Sequence, residues 1–461
     1  MTRYGNPKYT GADNAAFSEY FKAHTSKQLL VPVMNTLALR SNGSFVTDIV
    51  FRNCIAYTSA ASEMSPSYKA MKPHLEFILF KVVFPSLCLT DNEVEMFGSD
   101  PIEFVRRVHA AMEDWVDVRL AAVTLLQNLG RYRLKDTLPV FLPFIQGILN
   151  EHLQAAGAGQ PVDYRRKDGC LVALSALSNV LLEKPAYSSH MEPIITTHVI
   201  PEFASPVGYM RCRVCLFMES FHEVKWSNDS TVQAILNGLL TCLRDPCLPV
   251  QTAAAITLRL YLTEESARAL VIPILPDITR EYFRIMSEVE NDVVLSALQT
   301  IVLEFGDEIA GISTMLVSEL LNAFSYYSAQ GQDDDEAAFS AAQCLDTISA
   351  VLEATKDRPE QIKEIEGMIL PLIGKLFAEE SVEYVDNICD IMGYLSYYSA
   401  SVSPALYSML GPILDVLQSW AADYIVEFSP TIFNFLAQVN STTIFFLLLA
   451  TYFVLFLFIE P

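Results

Sequence analysis

Four cysteines in the middle of the chain have a spacing that could hold a metal ion. Cys212 and Cys215 are separated by two residues, and Cys242 and Cys247 follow. Thiolates at such spacing are ligands of structural zinc. In MRCRVCLF, however, the two cysteines lie three residues apart on a predicted helix and share its apolar face, where small thiols pack well. We therefore expect packing residues, and we predict no metal ion and no other cofactor.

A run of carboxylates in the loop at residues 328–338 could attract a basic partner. Asp333, Asp334, Asp335 and Glu336 lie there between two predicted helices. Four carboxylates on a loop would act on Lys- and Arg-rich proteins as a screened, long-range attraction. The alternative is a solvated loop whose charge also stabilises the N-terminus of the next helix. These four are the candidate partner-binding residues, with both interpretations open.

Basic residues cluster where predicted helices begin. Arg165, Arg166 and Lys167 open one helix, and Arg211 and Arg213 open another. In helical repeat proteins arginine and aspartate at such positions form a polar ladder between neighbouring repeats, and we favour this interpretation. The alternative is contact with an acidic partner.

No catalytic motif accompanies these clusters. The sequence contains no G-x-x-x-x-G-K-[ST], no G-x-S-x-G and no H-E-x-x-H. Gly374-Lys375 is followed by Leu376, and the seven histidines are scattered along the chain. We therefore predict that the protein is not an enzyme.

The elements that position these residues are predicted to be helices throughout. Apolar stretches at helical spacing alternate with short breaks of Pro, Gly, Asp and Ser, and strand patterns are nearly absent. Helices that close a helix pair are predicted to begin near Asp163, Gly208, Pro249, Asn291, Asp335 and Val382. These starts lie 41 to 47 residues apart, a period typical of HEAT or armadillo arrays.

One helix pair cannot bury its apolar face alone, so neighbouring pairs must stack. The fold prediction is an all-α, HEAT-repeat superhelical solenoid of stacked antiparallel helix pairs, about nine to ten of them over residues 1–438. Longer helices are expected upstream, one of them over residues 100–129. Prolines in first helices, as in VIPILPDI (271–278), are expected to introduce kinks.

The composition of the chain limits the classes of binding partner and the cellular compartment that we expect. The chain of 461 residues is too long for one ordinary core, which fits a repeat array. A net charge of −23 repels nucleic acid and favours basic partners. Nine scattered cysteines and an N-terminus without an apolar signal segment indicate a reducing compartment, the cytosol or nucleus.

Several stretches resemble one protein family. They are RYGNP (3–7), FPSLCLTDNEVEMFGSDPIEFVR (84–106), RRKDGCLVALSAL (165–177), HVIPEFASPVGYMRCRVCLFMESFHEVKW (198–226), CLRDPCLPVQTAAAITL (242–258) and SEVENDVV (287–294). On these residues the chain resembles the importin-β (karyopherin-β) nuclear transport receptors, in their importin-seven/importin-eight branch. The resemblance runs from about residue 3 to about residue 438.

The resemblance implies a HEAT solenoid that wraps basic cargo, binds phenylalanine-glycine nucleoporins and shuttles between cytoplasm and nucleus under control of the GTPase Ran. Ribosomal proteins and histones are typical cargoes of the branch. An acidic insertion occurs in the family at the place of residues 333–336. The N-terminal repeats that make most Ran contacts in the family are expected to be missing here. The alternative is a HEAT-repeat scaffold that only organises other proteins.

The hydrophobic tail at residues 439–461 departs from this pattern. TTIFFLLLATYFVLFLFI (442–459) carries no charge, Pro or Gly, and as a helix it approaches the length of a membrane span. We favour a gene-model artefact from a misread exon boundary, or an alternative transcript. A tail anchor in the endoplasmic reticulum or nuclear envelope, and a buried terminal apolar helix, are the alternatives.

Overall fold

The computed structural model describes residues 5–6, 8–109, 117–262, 265–289, 292–331, 335–399 and 401–437. Within these ranges the regular structure is helical, without any strand, so the all-α prediction is confirmed. The chain divides by its internal contacts into two compact units, unit 1 (residues 1–261) and unit 2 (residues 262–461). One array over residues 1–438 stays a prediction.

Unit 1 is built from short and long α-helices joined by turns, loops and short 3₁₀ and π-helical segments. They are α1 (Ala15–Tyr20), α2 (Ser26–Ser41), α3 (Asp48–Glu63), α4 (Ser65–Met71), α5 (Leu75–Phe77), α6 (Phe84–Leu87), α7 (Asp91–Ser99), α8 (Pro101–His109), α9 (Val118–Tyr132), α10 (Leu134–Gly157), α11 (Tyr164–Ala176), α12 (Ser178–Glu183), α13 (Pro185–Ser188), α14 (Met191–Ile194), α15 (Gly208–Ser220), α16 (Asp229–Cys242) and α17 (Leu248–Tyr261).

Unit 2 repeats the same architecture. Its helices are α18 (Glu265–Val271), α19 (Leu275–Val289), α20 (Asp292–Glu304), α21 (Gly306–Ile309), α22 (Ser313–Gln330), α23 (Asp335–Ala354), α24 (Pro359–Ala378), α25 (Val385–Tyr398), α26 (Pro404–Ser408), α27 (Leu410–Ser419) and α28 (Ile425–Ala437).

The second helix of each predicted helix pair packs against the second helix of the next pair. In unit 1, α3, α9, α11, α15 and α17 each contact the next, and in unit 2 the same holds for α20, α23, α25 and α28. Residues on their contacting faces, such as Leu171, Cys215 and Ala254, are fully buried. The predicted second-helix starts agree with the observed starts within a few residues, because capping groups mark them. The Asp163 carboxylate, for example, accepts hydrogen bonds from the backbone N–H groups of Arg165 and Arg166 at 3.1 Å.

First helices are more broken than the periodic pattern predicts. One first helix, for example, consists of α14 followed by a π-helical segment (Ile195–Val199) and a 3₁₀ segment (Ile200–Ala204). Pro201 lacks the N–H that would continue the α-helical hydrogen bonds. The kink expected in residues 271–278 is present as a 3₁₀ segment, Ile272–Ile274, between α18 and α19.

The single helix expected over residues 100–129 is wrong. The Asp117 backbone is extended, and its carboxylate caps α9 by accepting from the N–H of Leu120 at 3.0 Å. Thr90 and Glu93 form a capping box that starts the separate helix α7. Helices α7 and α8 are separated only by Asp100 and contact each other, and α8 also contacts α17.

One described stretch, Ser65–Ser99, could cross a membrane by its length and its mean hydropathy of 1.3. In the structure it holds α4 to α7, and Ile78, Leu79 and Val82 in it are fully buried. Buried core helices pass the same test, so this stretch is weak evidence for a membrane span. The predicted apolar tail helix at residues 439–461 lies outside the described residues.

Candidate functional sites: a polar ladder and a docking groove

The basic residues at the starts of second helices pair with carboxylates of neighbouring repeats. Arg213 of α15 reaches Asp168 of α11, with 2.6 Å between Nε and Oδ1. Arg211 binds Asp245, before α17, through two hydrogen bonds of 2.5 and 2.9 Å. Lys167 donates to Glu202 at 2.7 Å. The polar ladder is therefore confirmed for these residues.

The two remaining basic residues of the pattern form more exposed pairs. Arg165 lies 2.5 Å from Asp91 of α7, and Arg166 lies 3.6 Å from Glu151 of α10. Arg119 of α9 forms a partly buried pair with Glu93 of α7 at 3.0 Å. Helix α7 is thus joined by charge to the starts of the two second helices α9 and α11. Exposed pairs such as those of Arg165 and Arg166 contribute little to stability.

Buried charges make the ladder structurally important. The side chain of Asp168 is 0% exposed and that of Arg213 is 15% exposed. Burial lowers the pKa of the Arg213 guanidinium, but the charge and hydrogen bond of Asp168 outweigh it and raise the pKa overall. The charged side chains of the ladder are therefore paired with each other inside the fold.

A buried histidine pair lies beside the ladder. His152 of α10 and His198 of the π-helical segment are 7% and 6% exposed. Their Nε2 and Nδ1 atoms, respectively, have no hydrogen-bond partner among the described residues. Burial, and then the charge of Lys167, lower the pKa of both imidazoles. Both side chains are therefore expected to be neutral at pH 7.

The cysteine cluster is a packing element. Cys212, Cys215 and Cys242 are buried, all described cysteines are free thiols, and the described residues contain no group of three or more His, Cys, Asp or Glu that could hold a metal ion. Burial raises the pKa of Cys212 to about 12. For Cys215, burial and a hydrogen bond with Cys242 raise the thiol pKa.

The acidic candidate residues fall largely outside the described structure. Asp333 and Asp334 lie outside the described residues, and the structure gives no side-chain surroundings for Asp335 or Glu336. Helix α23 begins at Asp335. A role of these four residues in binding stays a prediction.

A groove that the sequence patterns did not indicate lies between two first helices of unit 2. It is a cavity of about 220 Å³ between α19 and α22. Its lining consists of Phe283, Met286, Ser287, Glu319, Asn322, Ala323, Tyr326 and Tyr327. Met286 and Tyr327 are nearly buried, whereas the side chain of Tyr326 is 42% exposed. An open, largely apolar cleft with an exposed aromatic ring suits another apolar or aromatic side chain.

Comparisons with known proteins relate this fold to a set of relatives. A family model described as Cse1 matches residues 17–181. The Importin beta-like SAD2 homolog of Arabidopsis thaliana is 29% identical over 441 residues, which is 95% of this chain and 43% of that protein. Importin-8 of Homo sapiens is 26% identical over 437 residues, 94% of this chain and 41% of that protein. The chain thus spans less than half the length of these curated relatives.

Solved structures agree on the fold. The exportin Cse1 in its cargo-free, cytoplasmic state matches 90% of this chain and 44% of that chain, with a TM-score of 0.67 and 16% identity. Together with the sequence relatives, these matches support the importin-β family for this chain, in its importin-7/importin-8 branch. The Kap95:Nup1 complex also matches, over 93% of this chain and 49% of that chain, with a TM-score of 0.56 and 12% identity.

The helical structure and its match to the exportin Cse1 confirm the HEAT-repeat solenoid that the period predicts. The docking groove was missed because its residues come from two first helices of different repeats, and no local pattern joins Phe283 to Tyr326. The separate helices α7 and α8 were not predicted either, although the Thr90-x-x-Glu93 capping box and Pro101 mark where they begin.

Proposed function

We propose that this chain is part of a nuclear transport receptor that binds basic cargo proteins and moves between cytoplasm and nucleus. The groove between α19 and α22 is the observation that carries this proposal, because a carrier must bind nucleoporin phenylalanines weakly and reversibly. The match to the Kap95:Nup1 complex supports it. The relatives named as importins support the same role.

A phenylalanine side chain suits the groove in size and chemistry. The cavity of about 220 Å³ exceeds the roughly 150 Å³ that holds benzene in an engineered protein cavity. Burial of one phenylalanine contributes about 1.5–3 kcal/mol. One or two such contacts give weak binding, with a Kd on the order of 1 mM, about 4 kcal/mol. Weak binding allows a carrier to exchange rapidly between successive repeats.

The acidic charge of the chain bears on the cargo that it would bind. The net charge of −23 favours basic cargo, with ribosomal proteins and histones as the classes that the resemblance implies. Regulation by Ran follows from the family as a whole. The protein is expected in cytoplasm and nucleus.

The test is binding of a fluorescein-labelled phenylalanine-glycine peptide, measured by anisotropy, with a serine-glycine peptide as the ligand control. Ala323→Trp places a large ring inside the groove and should abolish binding. Ala156→Trp adds the same ring to an exposed position of α10 in unit 1 and should leave binding unchanged. If Ala323→Trp and Ala156→Trp bind the phenylalanine-glycine peptide equally well, the groove is not the binding site. Failure to bind either this peptide or basic proteins at low salt would favour a scaffold over a carrier.

A further inference from the structure

The chain contains two Asn-Gly pairs, and the structure places them in different surroundings. Asn42-Gly43 directly follows the last residue of α2, whereas Asn237-Gly238 lies inside α16. In such a pair the backbone nitrogen of the glycine can attack the side-chain amide carbon of the asparagine, because glycine has no Cβ to obstruct the approach. Both pairs share this chemistry, so a difference in their reactivity must come from the fold.

The first pair forms an exposed turn at the C-terminal end of α2. Gly43, at φ 86°, donates its N–H to the Arg40 carbonyl at 3.0 Å. The N–H of Ser44 reaches the Leu39 carbonyl at 2.9 Å, which completes the Schellman arrangement of a helix end. Asn42 and Ser44 are exposed, and a Cβ built on Gly43 would meet no atom within 4 Å. Backbone at such an exposed helix end opens at little cost in free energy.

The second pair is held inside a packed helix. A Cβ built on Gly238 would meet the Phe203 ring at 2.5 Å, so this backbone lies directly against its neighbour. Leu236 and Leu239, on either side of the pair, are fully buried. Although Asn237 itself is exposed, the Gly238 nitrogen can reach its side chain only after part of α16 unfolds. Opening of a packed helix costs more free energy than opening of an exposed helix end.

We propose that Asn42-Gly43 is a site of spontaneous deamidation, at which Asn42 is converted to a mixture of aspartate and isoaspartate. The Gly43 nitrogen loses its proton to hydroxide or water and forms a bond to Cγ of Asn42. The bond from Cγ to the side-chain nitrogen then breaks, and that nitrogen takes a proton from water and leaves as ammonia. A five-membered succinimide ring remains.

Water then opens the ring at either of its two carbonyl carbons. Attack at the side-chain carbonyl restores the main chain and gives aspartate. Attack at the main-chain carbonyl gives isoaspartate, in which the chain continues through the former side chain. Water is the only other reactant, and ammonia is lost to the solvent. The change is therefore one-way, and the modified fraction of the protein increases with its age.

Both products would disturb the connection between α2 and α3. A carboxylate at position 42 lies at the negative end of the helix dipole, where it is unfavourable. Isoaspartate also adds a carbon to the main chain, so the hydrogen bonds of the turn cannot all form. Arg40 ties this turn to α3 by donating to the Val46 carbonyl and to Asp48, whose Oδ1 lies 2.7 Å away. A new carboxylate two residues after Arg40 would compete with Asp48 for the guanidinium, so we expect the turn to loosen.

The test incubates the folded chain at pH 7 and at pH 8 and follows its tryptic peptides by mass spectrometry. Residues 41–52 form the peptide that contains Asn42, and residues 226–244 form the one that contains Asn237. Asn42 should convert at least about tenfold faster than Asn237, which corresponds to about 1.4 kcal/mol in opening free energy. Conversion should be faster at pH 8, because the glycine nitrogen must lose its proton. In concentrated urea, where the chain is unfolded, both pairs should convert at similar rates.

Asn42→Gln is the matched control for the structural effect. Glutamine keeps the amide, but its longer side chain would have to close a larger ring, so conversion at this position should nearly stop. After incubation, hydrogen exchange in the first turn of α3 should be faster in the native sequence and unchanged in Asn42→Gln. Protein-isoaspartate methyltransferase with S-adenosylmethionine should label the aged native sequence in the peptide 41–52, and should not label that peptide in the variant.

Two outcomes would overturn the proposal. One is equal conversion of Asn42 and Asn237 in the folded chain, which would show that the fold does not select the site. The other is a folded chain in which Asn42 stays intact while both pairs convert in urea, which would show that the turn at the end of α2 protects it. Neither outcome bears on phenylalanine-glycine binding by the groove in unit 2.

Discussion

Removal of the Arg213–Asp168 ion pair of the polar ladder should destabilise unit 1 far more than removal of an exposed ion pair destabilises unit 2. The perturbation is Arg213→Met, which keeps a long apolar side chain but removes the guanidinium. Asp168 then stays fully buried without its partner at 2.6 Å, and its Oδ2 already lacks a hydrogen bond among the described residues. Arg280→Met, which breaks an exposed pair with Asp277 at 2.7 Å, is the control.

The magnitude follows from burial. Two unit charges about 4 Å apart interact by about 4 kcal/mol at an effective dielectric constant of about 20. Removal of one partner from a buried pair costs about 3–5 kcal/mol in measured cases, because the other charge stays desolvated. We therefore expect Arg213→Met to lower the free energy of unfolding of unit 1 by about 3 kcal/mol. The control should lose less than about 1 kcal/mol.

Native-state hydrogen exchange is the suitable assay, because repeat arrays can open locally. Peptides from α11 and α15 should lose protection in Arg213→Met, while peptides from α23 and α25 keep theirs. The double variant Asp168→Leu/Arg213→Met should recover much of the loss, since no charge stays buried. A loss in Arg213→Met equal to that of the control, or no recovery in the double variant, would refute the argument that burial makes this pair important.

Three further results are expected. The pKa values of His152 and His198 are lowered in the folded protein, so as pH falls these imidazoles bind protons in the unfolded chain before they do so in the fold. The free energy of unfolding should therefore decrease as pH drops below about 6.5. Hydrogen-exchange protection factors of α10 that are equal at pH 7 and pH 5 would contradict this. Gly238→Ala places a Cβ 2.5 Å from the Phe203 ring and should therefore lower Tm. Gly374→Ala in α24 meets no atom within 4 Å and should raise Tm slightly, because alanine favours the helix. A thermal scan in which Gly238→Ala melts at a higher temperature than Gly374→Ala would contradict the close packing of Gly238 against Phe203. Buried Cys212, with its pKa raised to about 12, should resist alkylation at pH 8 until the protein unfolds; rapid labelling of the native protein would show that the site is open.

Second helices were predictable because local chemistry marks them. The start predicted near Asp163 is the observed N-cap of α11, and α15 begins at Gly208, as predicted. All residues from Lys167 to Leu174 of α11 are buried, so this second helix is recognised by its capped start and its length more than by an amphipathic period. The ladder was also predictable, since basic residues at helix starts need carboxylate partners once the helices stack.

First helices and the sites between them were less predictable. Prolines such as Pro201 divide apolar runs into α-helical, π-helical and 3₁₀ segments, and an apolar period does not distinguish these states. The groove joins Phe283 of α19 to Tyr326 of α22. It forms only when neighbouring repeats are in their folded positions, and no local pattern contains that information.

Entry into a phenylalanine-glycine hydrogel is the most direct test of the carrier proposal. The labelled chain, its Ala323→Trp variant and an inert protein of similar size would be imaged at the gel boundary. We expect the chain to concentrate in the gel well above the inert protein, and Ala323→Trp to lower this partitioning towards the inert level. Exclusion of the chain at the inert level, or equal partitioning of chain and variant, would contradict the assignment of the α19–α22 groove to nuclear transport.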